Sequence, residues 1–134
     1  MGIKTKLTTK GMEKALEALA ASGRNIDEIV KRALPAGGQV FVDGMRSRAP
    51  EDTGNLKSKI KMSEPEQDGN YIWIEVGLVD ADDETARYGN AQEYGWSDRQ
   101  GAKAGHPYIR PTVDHDKGRA RKAMIGVVKQ EEIV

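Results

Sequence analysis

One apolar stripe constrains the fold more than any other feature of this sequence. Ile26, Ile29, Val30, Ala33 and Leu34 recur at helical spacing, and Gly37, Val40, Phe41, Gly44 and Met45 continue the series. The phase is kept across Pro35. A proline inside a helix removes one hydrogen bond and crowds the preceding turn, at a cost of about 3 kcal/mol. A true break would usually reset the phase. The preserved register therefore predicts one long helix kinked near Pro35, or two collinear helices sharing a face. Gly37 and Gly44 lie on that face. They either let another backbone approach closely or simply weaken the helix, and the sequence does not choose between the two.

The neighbouring segments complete an α+β pattern. Residues 3–8 alternate apolar and polar and read as a short edge strand. Thr9 can cap a first helix with the stripe Met12, Leu16, Leu19 and Ala20, closed by Ser22-Gly23. Asn25, with Glu28 three places on, resembles a capping box at the start of the long helix. Ala49-Pro50 ends that helix, because a residue before proline avoids helical angles. Glu51-Asp52-Thr53-Gly54 reads as a turn leading into a short helical turn through Leu56.

Beyond the turn, Lys59 to Glu64 alternates with Ile60 and Met62 on one face, and Asp68-Gly69 is a signal for a hairpin whose first arm is 59–66. Ile72, Ile74, Val76 and Leu78 then face one way, with Tyr71, Trp73, Glu75 and Gly77 facing the other. Asp80 to Glu84 is an acidic loop, and Tyr88, Ala91 and Tyr94 suggest a short helix over 85–95. Residues 96–106 are Gly-rich and polar and are expected to form a mobile loop that orders on assembly. His106 to Pro111 is expected to be extended. A final helix follows, with Val113, Ala120, Met124, Val127 and Val128 on one face. The expected fold is one domain over residues 1–134. N-terminal helices pack on a small, mainly antiparallel sheet with a central hairpin, and a C-terminal helix closes it.

Composition narrows the function classes. Only 37% of residues are hydrophobic while 31% are charged, so the core is thin and subunit contacts would help it. Lysine plus arginine and aspartate plus glutamate both number 21, so any electrostatic role belongs to local patches. With no cysteine, disulfides and thiolate chemistry are excluded. No apolar run is long enough for a signal peptide or a membrane span, which predicts no membrane association.

The candidate chemical constellations fail on context. Asp52-Thr53-Gly54 spells the aspartic-protease triplet, but no apolar strand precedes it and no glycine-rich flap is evident. A turn is the better reading, and a hydrolase using Asp52 remains a distant rival. Asp80, Asp82, Asp83 and Glu84 lack the spacing and glycine of a calcium loop. His106, Asp114, His115 and Asp116 lack zinc spacing. No phosphate loop or nucleophile elbow is present, so the expectation is no enzyme, no metal and no cofactor. Lys117, Arg119, Arg121 and Lys122 could touch DNA phosphates, or could be a solvated face balanced by nearby carboxylates.

Three segments in order carry a resemblance: Ala49-Pro50-Glu51-Asp52-Thr53-Gly54-Asn55-Leu56-Lys57-Ser58-Lys59-Ile60, Ala91-Gln92-Glu93-Tyr94-Gly95, and Gly105-His106-Pro107-Tyr108-Ile109-Arg110-Pro111-Thr112. Together with the preceding and closing helices they resemble the gene-product-ten tail-component family of long-tailed bacteriophages, also called neck or tail-completion proteins. The resemblance runs from about residue 10 to about residue 128. It implies a non-enzymatic virion protein, made in the host cytoplasm. Such a subunit would join head to tail as a homo-oligomeric ring around the DNA channel, beside head-completion and tail-terminator or tail-tube proteins. Contact with packaged DNA would be non-specific.

On this reading Pro50, Asp52, Thr53, Gly54 and Leu56 form a structural corner. Glu93, Tyr94, Gly95, Pro107, Tyr108, Arg110 and Pro111 are a candidate subunit interface, since aromatics and arginine are enriched there. The alternative for the two tyrosines is packing over the sheet. The runner-up function is a DNA-binding accessory protein using the basic C-terminal helix.

Overall fold

The computed structural model describes residues 2–50 and 55–133. Its elements in order are β1 (Lys4–Leu7), α1 (Glu13–Ala21), α2 (Ile26–Arg48), α3 (Asn55–Lys59), β2 (Lys61–Met62), β3 (Glu66–Asp68), β4 (Tyr71–Gly77), α4 (Asp83–Tyr94), β5 (Trp96–Asp98), β6 (Gly101–Lys103) and α5 (Ile109–Ile133). This is the α+β arrangement expected, with small antiparallel sheets and a closing helix.

Helix α2 runs continuously through Pro35, so one helix forms and not two. Its buried face explains why the proline is tolerated. Ile29, Val30, Ala33, Leu34, Phe41, Val42 and Met45 are all buried, each worth about 1.5–3 kcal/mol for the larger side chains. That sum outweighs one lost hydrogen bond. Asn25 caps the helix by accepting from the Glu28 N–H at 3.4 Å. Gly37 and Gly44 serve close approach. A Cβ at Gly37 would press on Met124 of α5 and Leu7 of β1. One at Gly44 would strike Asp116 and Thr112 of α5.

Strand β4 is the centre of the main sheet. β1 pairs along one side of it, with Lys4 opposite Gly77 and Leu7 opposite Ile74. β2 and β3 share the other side, with Met62 opposite Val76 and Glu66 opposite Trp73. The expected continuous strand over 59–66 is thus two short ones, because α3 runs on to Lys59 and Pro65 interrupts the ladder. Ser63 bridges the gap: its N–H donates to the Glu75 carbonyl at 2.8 Å, and its hydroxyl accepts from the Glu75 N–H at 2.9 Å. Gly69 turns the β3–β4 hairpin at φ +62°. The inner face of β4, with Ile72, Ile74 and Val76 buried, packs on α2. Helix α5 lies on the other side of α2 and contributes Ala120, Met124 and Val128 to the same core.

Three local expectations change. Thr9 does not cap α1; Met12 holds that position without a side-chain bond, and the Thr9 carbonyl accepts from the Met12 N–H. Ala20, expected on the apolar stripe, is exposed. Asp82, expected only as part of an acidic loop, caps α4 by accepting from the Thr85 N–H at 3.1 Å.

Candidate functional site: the α4–α5 clasp and the surfaces it presents

Two segments of the sequence resemblance, Glu93-Tyr94-Gly95 and Pro107 to Pro111, meet in space as a clasp. Helix α5 starts at Ile109, so its first N–H groups have no partner within the helix. Glu93, near the end of α4, supplies one. Its Oε1 accepts from the Tyr108 N–H at 2.9 Å and the Ile109 N–H at 2.8 Å. Its Oε2 accepts from the Arg110 N–H at 3.0 Å and the Arg110 Nε at 3.2 Å. A carboxylate here also complements the positive end of the helix dipole. Desolvation opposes the charge of this buried group, but the three backbone N–H groups and Arg110 outweigh it and hold its pKa below the usual carboxylate value.

Pro111 falls in the first turn of α5, where a missing N–H costs nothing, so the expected extended segment ends at Tyr108, three residues earlier. Tyr108 is fully buried, and its hydroxyl donates to the Gly89 carbonyl at 3.3 Å. Burial, then the Glu93 charge, pushes its pKa upward. Gly89 has no Cβ to meet that hydroxyl, and Gly105 lies against the Ala91 and Gln92 carbonyls where a Cβ would collide. Gly95, at φ +82°, ends α4 and passes close to the Lys103 carbonyl.

This geometry divides the candidate interface. Glu93 and Tyr108 are buried within the chain and offer no free surface, which corrects Glu93 as an interface residue and, for Tyr108, selects packing within the chain over subunit contact. Burial is dictated here by the unpaired helix N–H groups, which need an acceptor wherever solvent is shut out. Tyr94, Pro107 and Arg110 are exposed, while Gly95 and Pro111 are half-buried. Tyr94 is 66% exposed, with the Arg110 guanidinium 5.1 Å from its ring. Beyond Gly95 the expected mobile loop is instead a paired ribbon, β5–β6, with Trp96 opposite Lys103 and Asp98 opposite Gly101. Asp98 Oδ1 accepts from the Gln100 N–H at 2.8 Å and closes its turn. Trp96, on the ribbon, is 44% exposed.

A second buried carboxylate holds α5 two turns further on. Asp116 accepts from Arg48 at 2.7 Å on one oxygen and from Arg119 at 2.7 Å on the other. Arg48 also donates to the Thr112 hydroxyl at 3.1 Å. Arg48, chiefly, keeps the Asp116 pKa below its ordinary value against a smaller opposing effect of burial. In the sequence Asp116 belongs only to a set of residues that lacks zinc spacing, and Arg48, at the end of a helix, carries no signal of this pairing. Among the described residues no group of histidines and carboxylates is placed to hold a metal.

The basic stretch is exposed along α5 at Lys117, Arg119, Arg121 and Lys122, but Arg119 is paired with Asp116. Of the structural corner, Pro50 is half-buried and Leu56 is fully buried in α3. Asp52, Thr53 and Gly54 lie outside the described residues, so the protease triplet has no geometry to weigh. Among the described residues no helix is long and apolar enough to cross a membrane.

No curated protein and no solved structure matches the chain in a similarity search. A family model does match, over residues 10–95, which takes in α1 to α4 and ends at the Glu93-Tyr94-Gly95 segment of the clasp. That span is well over half of the chain, and it places this protein in the HK97-gp10-like family of bacteriophage tail components.

Proposed function

We propose that this tail component acts at the head–tail junction, as a ring subunit that joins head to tail around the DNA channel. The supporting observation is the clasp. It fixes a rigid base from which Tyr94, Trp96 and the β5–β6 ribbon project, and a project-and-dock design suits a protein whose work is contact. Its partners would be further copies of itself, head-completion proteins, and tail-terminator or tail-tube proteins, with packaged DNA passing through. The role is architectural and involves no turnover. It places the protein in the virion neck, after synthesis in the host cytoplasm.

Electron microscopy of particles made without this protein tests the reading. Filled heads beside separate tails are expected. Joined particles of normal length would overturn it. A second reading, an accessory DNA-binding protein, is favoured only by the exposed cations of α5. Strong, salt-dependent retention of the purified chain on duplex DNA would support that reading over the first.

A further inference from the structure

The two free edges of the main sheet carry opposite charge. Among the described residues β1 is paired only with β4, and its outer edge follows a groove of about 160 Å³ between the strand and α5. Four consecutive residues, Thr5 to Thr8, line this groove although they alternate between the two faces of the strand, so it runs along the edge and not across a face. Its floor is apolar, made by Leu7, Phe41 and Met124. Its rim is cationic, made by Lys10, Lys117 and Arg121, while the Lys6 ammonium lies over the Trp73 ring on the outer face of the sheet. Lys10 and Lys117 form no ion pair among the described residues.

On the opposite edge, β3 is exposed throughout and carries Glu66 and Asp68, with Glu64 just before it. None of these three carboxylates makes an ion pair among the described residues. The chain as a whole is neutral, so this separation of sign is local to the two edges.

We propose that β3 of a second copy of this chain docks along the β1–α5 groove. The acidic edge of one subunit would meet the basic rim of the next, head to tail. This rests on the ring reading above and adds a contact between copies, apart from the Tyr94, Trp96 and β5–β6 surface. Three physical features converge on it. An unpaired strand edge has backbone N–H and C=O groups that an added strand satisfies. An apolar floor under a cationic rim fits an acidic polypeptide strand, whereas a DNA backbone has phosphates for the rim and nothing for the floor. Two complementary edges on one sheet make a heterologous contact, the type that generates rings, while repelling the like-with-like pairing of two β1 or two β3 edges.

The absence of cysteine makes the test clean. Thr5→Cys and Gln67→Cys sit at the middle of their strands and leave every charge in place. Under mild oxidation of the concentrated full-length protein, and of assembled particles, the two-cysteine chain should give a ladder of covalent oligomers on a non-reducing gel. Each single-cysteine chain should stay monomeric. Lys10→Glu with Lys117→Glu should weaken assembly at least tenfold by sedimentation, as should Glu66→Lys with Asp68→Lys. All four changes in one chain should restore it.

Rings that form without a ladder would overturn this surface and leave the ring reading standing. An absence of any higher oligomer, in solution or in particles, would overturn both. If Lys10→Glu with Lys117→Glu abolishes retention on duplex DNA but leaves assembly intact, the groove serves a polyanion and the proposal fails.

Discussion

The first turn of α5 and the end of its second turn are both held by a buried carboxylate, yet by different chemistry. Glu93 bonds three backbone N–H groups, which every residue but proline carries, and adds one arginine from the same turn. Asp116 bonds two arginine side chains, one from its own helix and one from α2. The first arrangement fixes where α5 begins relative to α4. The second fixes how α5 lies against α2. Removing Glu93 strands main-chain groups that have no other acceptor among the described residues, whereas Arg119 stays largely exposed and can return to water. The clasp should therefore be the less replaceable of the two.

Glu93→Ala gives the largest expected effect. It leaves the Tyr108 and Ile109 N–H groups buried without an acceptor, and a loss of about 3–5 kcal/mol in urea unfolding is expected. A loss below 1 kcal/mol would mean that the clasp is not what sets the start of α5.

Gly44→Ala comes next. Its Cβ would displace Asp116 and Thr112, and overpacking of this kind costs about 1–3 kcal/mol. If Gly44→Ala costs as much as Glu93→Ala, the two holds on α5 are equally important and the comparison breaks.

Acid sharpens the contrast. Both carboxylates have folded-state pKa values below their ordinary 4.5 and 3.8. Each therefore contributes stability that is present above its ordinary value and lost as pH falls through the lowered one. The urea midpoint should drop as pH is taken below about 4.5, and Glu93→Gln should flatten that drop more than it changes stability at pH 7 relative to Glu93→Ala. An unchanged acid slope in Glu93→Gln would remove Glu93 as a source of it.

Arg119→Ala is the smallest effect. Arg119 is 71% exposed, and such pairs are worth about 0–1 kcal/mol. Because Asp116 keeps Arg48, unfolding midpoints should barely move; a shift as large as that of Gly44→Ala would show that the whole triad acts as one unit.

Much of the architecture was legible beforehand for a plain reason. Elements whose burial repeats with a fixed period announce themselves. The stripe of α2, the alternation of β4 and the last-helix stripe through Ala120, Met124 and Val128 all follow that rule. Asn25 and Gly69 did too, because caps and hairpin turns need particular residue types at particular places. The β5–β6 ribbon was not legible. Glycine and polar residues over 96–106 carry no burial pattern, and the pairing rests on backbone bonds and one aspartate. The break between β2 and β3 was hidden because Ile60 and Met62 keep strand spacing although Ile60 lies before the strand. In the candidate site, Glu93 reads as an interface residue and is core, while Tyr108, open between packing and subunit contact in the sequence, is core as well.

The sequence alone determined the helical and strand periods, the α+β class, and the ordered motifs that resemble a phage tail-component family. Tertiary structure decided what those motifs do. Whether a carboxylate faces a neighbour or a helix terminus depends on which main-chain donors are left unpaired nearby, and that is settled only when α4 and α5 meet. The glycines of α2 were equally open until packing placed Met124 and Asp116 against them. Local pattern fixes which side of an element is buried; only the three-dimensional arrangement fixes what it is buried against.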